Sequence, residues 1–252
     1  MKNLTLLILL TCCLYSFSDI KKTKNAFIAK NLKGKVSYLE VAVYFSQYKF
    51  GKEQKGNLNY KYTSKFDDKG NIIENNYYNS DGSLQIKDTY KYDNQGTKIE
   101  WNEYNSNDSL EYKYIYKYDN QGNQIEWNKY NSKGWLKCKY TAKYDIQGNK
   151  VELNEYNSAG RLEYKYTFKY DNQGNQLEWN KYNSDDSLVF KYAYKYDNQG
   201  NQIEEKFYKS DGSLDYTHTF RYEFDIMGNW VREIEFKDHK PIMIKERVIE
   251  YF

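Results

Sequence analysis

Tyr118–Leu136, YDNQGNQIEWNKYNSKGWL, decides the fold, because near-copies of it recur along the chain at a fixed interval. The first aromatic residue of each copy falls at Phe66, Tyr92, Tyr118, Tyr144, Tyr170, Tyr196 and Phe224, in steps of 26 residues with a last step of 28. Self-similarity at this period marks a repeat architecture, in which each unit buries its apolar face only against its neighbours.

Each unit holds two strand patterns and two turn signals. In the long pattern, LEYKYIYKYD from Leu110, residues Leu110, Tyr112, Tyr114, Tyr116 and Tyr118 point one way, and Glu111, Lys113, Ile115 and Lys117 the other. Asp-Asn-Gln-Gly-Asn follows as a tight turn with Gly in the positive-φ position. A short strand from Gln124 to Asn131 and a second turn of the form Asn-Ser-Asp-Gly close the unit. Asp108 and Asp186 replace that second Gly, which Asp tolerates better than most residues.

Charge proposes the register. Setting Tyr118 opposite Ile125 places Lys117 against Glu126 and Tyr116 against Trp127. The same offset gives Lys65:Glu74, Lys91:Glu100, Lys143:Glu152, Lys169:Glu178 and Lys195:Glu204, and in the last unit both signs reverse together, to Glu223:Arg232. The two residues added near Thr217-His218 preserve the facing of the strands. Tyr130 and its equivalents fall on the wrong face by alternation, so a bulge near Asn128 is expected.

The totals agree with this reading. Mean hydropathy is −1.03, yet the chain carries 30 Tyr, 12 Phe and 5 Trp, so aromatic rings must supply most of the core. Lys+Arg number 38 against 35 Asp+Glu, alternating in sign, a pattern that argues against a nucleic-acid partner. The fold expected is all-β, an antiparallel hairpin array of about seven units and 15–16 strands, forming a curled or spiral meander with its Tyr face inside.

The flanks differ from the array. Residues 1–18 read as a signal peptide, with Lys2, an apolar run and Ser16-Phe17-Ser18, implying export to the periplasm or beyond. A loose lipobox offers a competing lipid anchor at Cys12 or Cys13. No later stretch is an apolar run long enough for a transmembrane helix. Residues 19–57 contain a capping strand around Val36–Phe45, residues 58–236 the array, and residues 237–252 a closing strand.

The recurring Tyr-Asp-x-x-Gly-Asn, intact at Tyr118–Asn123, Tyr170–Asn175 and Tyr196–Asn201, resembles the YD repeat of the Rhs family over residues 60–236. In that family such hairpins wind into a spiral sheet, and long members form a shell around a toxin. The resemblance implies a hairpin spiral here. Seven units are few for a shell, and no toxin-like domain follows, so toxin delivery is not carried over.

Chemistry is sparse. His218 and His239 lie in different surroundings and Cys138 stands alone in the array, which supports neither a triad nor a metal site, and no cofactor is implied. His218 and Cys138 replace aromatic residues and read as packed side chains. The column Glu100, Glu126, Glu152 and Glu178 could serve a hydrolase, but a Lys opposite each, with Lys113 and Lys139 beside them, makes an ion ladder. Trp101, Trp127 and Trp179 form one column. Exposed, it would stack sugar rings; packed on Tyr90, Tyr116 and Phe168, it would be core. The expectation is a non-enzymatic binding or structural scaffold of the cell envelope, with a glycan or envelope protein as partner and, if it is exposed, this Trp row as its ligand-binding site; the need for a core favours packing.

Overall fold

A computed structural model describes residues 32–252, so the leader and its cleavage or lipidation lie outside the described residues. The strands run in chain order as β1 (Val36–Lys49), β2 (Lys52–Phe66), β3 (Ile72–Tyr78), β4 (Leu84–Tyr92), β5 (Lys98–Asn105), β6 (Leu110–Tyr118), β7 (Gln124–Asn131) and β8 (Leu136–Tyr144). They continue as β9 (Lys150–Asn157), β10 (Leu162–Tyr170), β11 (Gln176–Asn183), β12 (Leu188–Tyr196), β13 (Gln202–Tyr208), β14 (Leu214–Phe224), β15 (Trp230–Lys237) and β16 (Lys240–Tyr251). Every strand pairs antiparallel with its sequence neighbours, and β1 pairs with β16 to close a 16-stranded barrel. The all-β hairpin meander is therefore as expected, and the sheet is closed. The two flanking strands are partners of each other, so neither is an open edge.

The turns at one end of the barrel are held by their own side chains. Asp119 Oδ1 accepts from the amides of Gln121 (2.9 Å) and Asn123 (2.8 Å), and Asn123 Nδ2 donates to Asp119 Oδ2 at 2.9 Å. Gly122 takes φ 83°. At the other end, Asp108 and Asp186 adopt φ 57° and 65° in place of Gly.

The register follows the charges with one correction. Lys117 lies opposite Glu126 and Tyr116 opposite Trp127, but Tyr118 pairs with Gln124, not Ile125. Ile125 is the extra residue of a bulge beside the turn, turned outward and exposed. No bulge occurs at Asn128 in that pairing: Asn128, Lys129 and Tyr130 alternate regularly opposite Ile115, Tyr114 and Lys113. Tyr130 accordingly faces out. Its equivalents Tyr78, Tyr104, Tyr182 and Tyr208 each carry a Lys ammonium over the ring at 5.1–5.8 Å, so these rings shield the stems of the outer lysines.

The hairpins are tied to one another through the inward Tyr at the strand end. Tyr92, Tyr118 and Tyr144 donate to the carbonyls of Ile72 (2.7 Å), Lys98 (2.5 Å) and Gln124 (2.8 Å) in the preceding hairpins, and Tyr222 does the same to Gln202 (2.7 Å). Each bond reaches back 20 residues and satisfies a carbonyl at the bulged strand start.

Candidate functional site

The two faces of the wall differ sharply. Outside, all seven expected ion pairs form at 2.7–3.0 Å, from Lys65–Glu74 to Glu223–Arg232. Glu126 also receives Lys139 at 2.8 Å and Glu100 receives Lys113 at 2.7 Å. Hydrogen bonds from Lys117 and Lys139 hold the Glu126 carboxyl far below the usual carboxylate range, at about 2. A carboxyl so held is ionised throughout the physiological range and cannot act as the general acid of a glycoside hydrolase.

Inside, the aromatic face is continuous. Trp101, Trp127 and Trp179 are only 7%, 5% and 2% exposed. Trp101 stacks on Tyr114 at 4.0 Å, Trp127 on Tyr140 at 4.9 Å and Trp179 on Tyr192 at 5.1 Å, with Tyr116, Leu153, Tyr166 and Phe168 in the same cluster. The row expected as a ligand platform is thus core. Its ring faces are taken up by neighbouring Tyr rings, because few aliphatic residues are available for that packing.

Two residues beyond each Trp position comes a set that the sequence reading passed over. Glu103, Lys129, Glu155 and Lys181 lie at equivalent places on β5, β7, β9 and β11, and all turn inward. Lys129 Nζ lies 3.6 Å from the centre of the Tyr112 ring and 5.2 Å from that of Tyr114; Lys181 repeats this over Tyr164 (3.4 Å) and Tyr166 (5.4 Å). Tyr166 and Tyr140 donate to Glu155 at 2.8 and 3.1 Å, and Tyr114 to Glu103 at 3.5 Å. Carboxylate and ammonium therefore alternate from hairpin to hairpin against rings. Strict alternation from Trp127 would have found them; the supposed bulge at Asn128 turned Lys129 the wrong way.

The inner polar band continues to both sides. Asp88 on β4 faces Glu103 across the strands and is 2% exposed. Burial pushes its carboxyl up to about 8, and the nearby Glu103 adds to the shift. Tyr90 donates to it at 3.3 Å. The Trp101 indole is near enough to oppose the shift, yet Trp101 Nε1 and Asp88 Oδ1 do not meet at hydrogen-bond geometry. On the other side His218 Nδ1 meets Glu235 at 2.7 Å and stacks on Tyr216, while Lys245 meets Glu233 at 2.6 Å. Cys138 is half-buried beside the Tyr140 hydroxyl at 3.6 Å. Among the described residues no three His, Cys, Asp or Glu side chains are grouped so as to hold a metal ion.

No family model and no curated protein matches the chain. Among solved structures, a porin-like protein from Bacteroides uniformis is similar over 86% of this chain and 98% of its own, with TM-score 0.56 and 11% identity. A porin-like protein from Bacteroides vulgatus matches 87% of this chain and 99% of its own at TM-score 0.49 and 15% identity. A TcdB2-TccC3 structure matches 70% of this chain and 13% of its own at TM-score 0.34 and 13% identity. At these identities the likeness concerns architecture alone. Among the described residues no helix is long and apolar enough to cross a membrane, which says nothing of barrels.

Proposed function

We propose that this is an exported, non-enzymatic binding scaffold of the cell envelope that receives a glycan against its inner wall. One observation carries the reading: rings and hydrogen-bonding groups alternate at one level in successive hairpins, Tyr112 with Lys129, Tyr166 with Glu155, Tyr164 with Lys181. A flat apolar face beside a charged acceptor or donor suits a sugar. The closed 16-stranded wall supports an interior site, since even eight-stranded barrels can hold one small ligand and larger ones leave more room.

The outer wall separates this reading from a membrane pore, despite the porin-like neighbour. A barrel in a bilayer presents an apolar band at mid-height; here the outward mid-strand positions include Lys113 and Asn128, and nearer the turn stands the Lys–Glu ladder, with the Lys117 side chain 64% exposed. We place the barrel in an aqueous compartment, and read the YD-like units as hairpins that close where the Rhs spiral stays open. The test is a glycan and envelope-protein binding screen with the wild-type chain, Glu155→Gln and Lys181→Met. Stepwise loss of glycan binding across the variants is expected. Absence of any glycan ligand, or binding indifferent to both substitutions, overturns the assignment.

A further inference from the structure

Strand β1 pairs with β16 only as far as Phe45 opposite Met243. Beyond that point the β1–β2 hairpin pairs with itself, from Ser46 opposite Lys55 to Lys49 opposite Lys52, as an arm outside the barrel wall. Its corner is built for close approach: a Cβ on Gly56 would fall 2.9 Å from the Phe45 carbonyl oxygen. The arm is fastened across the outer wall by Lys55 to Glu246 on β16 (2.8 Å) and by Glu53 to Arg221 on β14 (3.1 Å). Ile234 and Ile244, outward-facing by register, are buried at the place the arm crosses.

The tip breaks two rules at once. Phe50 and Gly51 form a two-residue turn with φ 51° and 74°, where Asn-Gly or Gly-Gly is the favoured chemistry. A bulky side chain in that region is strained, and burial does not offset the strain, since Phe50 is 94% exposed. Tyr48 is exposed beside it, and Lys49 and Lys52 flank the pair on the exposed turn. The one acid of the arm, Glu53, is already engaged by Arg221. Residues that violate local preference without a folded-state gain mark functional positions.

We propose that this Lys-Phe-Gly-Lys tip docks the barrel onto an anionic phospholipid surface. Phe50 and Tyr48 enter the interfacial layer, where aromatic rings are at home, while Lys49 and Lys52 meet the headgroup charges. The ion pairs from Lys55 and Glu53 hold the arm against the outer wall, so docking leaves the inner face and any ligand there unaffected. The inference stands on the arm alone and does not depend on the glycan reading.

The experiment is co-sedimentation of the full chain with phosphatidylglycerol-containing and pure phosphatidylcholine vesicles. Phe50→Asn is the decisive variant, because Asn fits the turn better than Phe and so removes the ring without harming the fold. Binding to the anionic vesicles is expected to weaken by about fivefold for each lysine neutralised, in Lys49→Gln and Lys52→Gln, and by at least as much in Phe50→Asn. Because the same leader is present in every variant, a contribution from residues 1–18 cancels in the comparison. Equal binding of wild type and Phe50→Asn overturns the proposal, as does equal affinity for both vesicle types. A wild-type chain that ignores vesicles but self-associates through Phe50 would make the tip a protein contact, and overturns it too.

Discussion

Lys117 and Glu126 stand directly opposite each other on the outer wall, Nζ to Oε1 2.7 Å, with Lys139 on the far oxygen of the same carboxylate. The opposed pair recurs at each hairpin, and the second lysine at Glu100 and Glu178, so a weak pair becomes a column that holds register.

Glu126→Lys is expected to destabilise by more than the about 0.2–1 kcal/mol of one cross-strand pair, because the new lysine faces two others. Adding Lys117→Glu should restore part of the loss, and Lys139→Glu another part. Urea unfolding of the single, double and triple variants measures the coupling. Independent, additive effects would remove the electrostatic account of the register.

Stability should depend on pH with opposite signs in the two faces. Glu126 has a native pKa of about 2 against an ordinary 4.5, so the native state binds fewer protons and its stabilisation is lost as pH falls from 4.5 toward 2. Asp88 has a native value of about 8 against 3.8, so the native state holds the extra proton and stability declines as pH rises from 3.8 toward 8. Asp88→Asn should therefore flatten the alkaline side of the urea-midpoint profile and leave the acid side unchanged. A profile unaltered between those limits would refute the buried-acid assignment.

Trp127→Ala should cost about 3–5 kcal/mol, as removal of a buried indole does, and should lower the thermal midpoint whether or not a glycan is present. Were Trp127→Ala to abolish glycan binding at unchanged stability, the ring would be a ligand platform after all. Near-ultraviolet circular dichroism alongside unfolding distinguishes the two.

Most of the wall was legible because its information is periodic. The reciprocal exchange of Lys117:Glu126 for Glu223:Arg232 specifies the strand pairing, and Asp at 108 and 186 marks a left-handed turn position. Four features were not legible in this way. Ile125 looks like a regular strand residue, and only the Tyr118–Gln124 pairing exposes it as a bulge. Tyr130 reads as inward when Tyr is equated with core, whereas the rings of its equivalents Tyr78, Tyr104, Tyr182 and Tyr208 back outer lysine stems. Closure depends on β1 and β16, which lie outside the repeat and share no pattern that could announce their pairing. The inner band of Glu103, Lys129, Glu155 and Lys181 was missed for a related reason, since charge on an aromatic face reads as an error of alignment.

The pairing of β1 with β16 makes the circumference a whole number. An open array can gain or lose a unit at either end and remain the same object locally. A ring cannot: duplicating one 26-residue hairpin would add two staves between fixed neighbours and lengthen the perimeter in a single jump. Each strand adds roughly 4.8 Å to the perimeter, so one duplication enlarges it by about an eighth. Paralogues that differ by whole hairpins would then be a graded set of girths made from one part, with the same seam joining first strand to last.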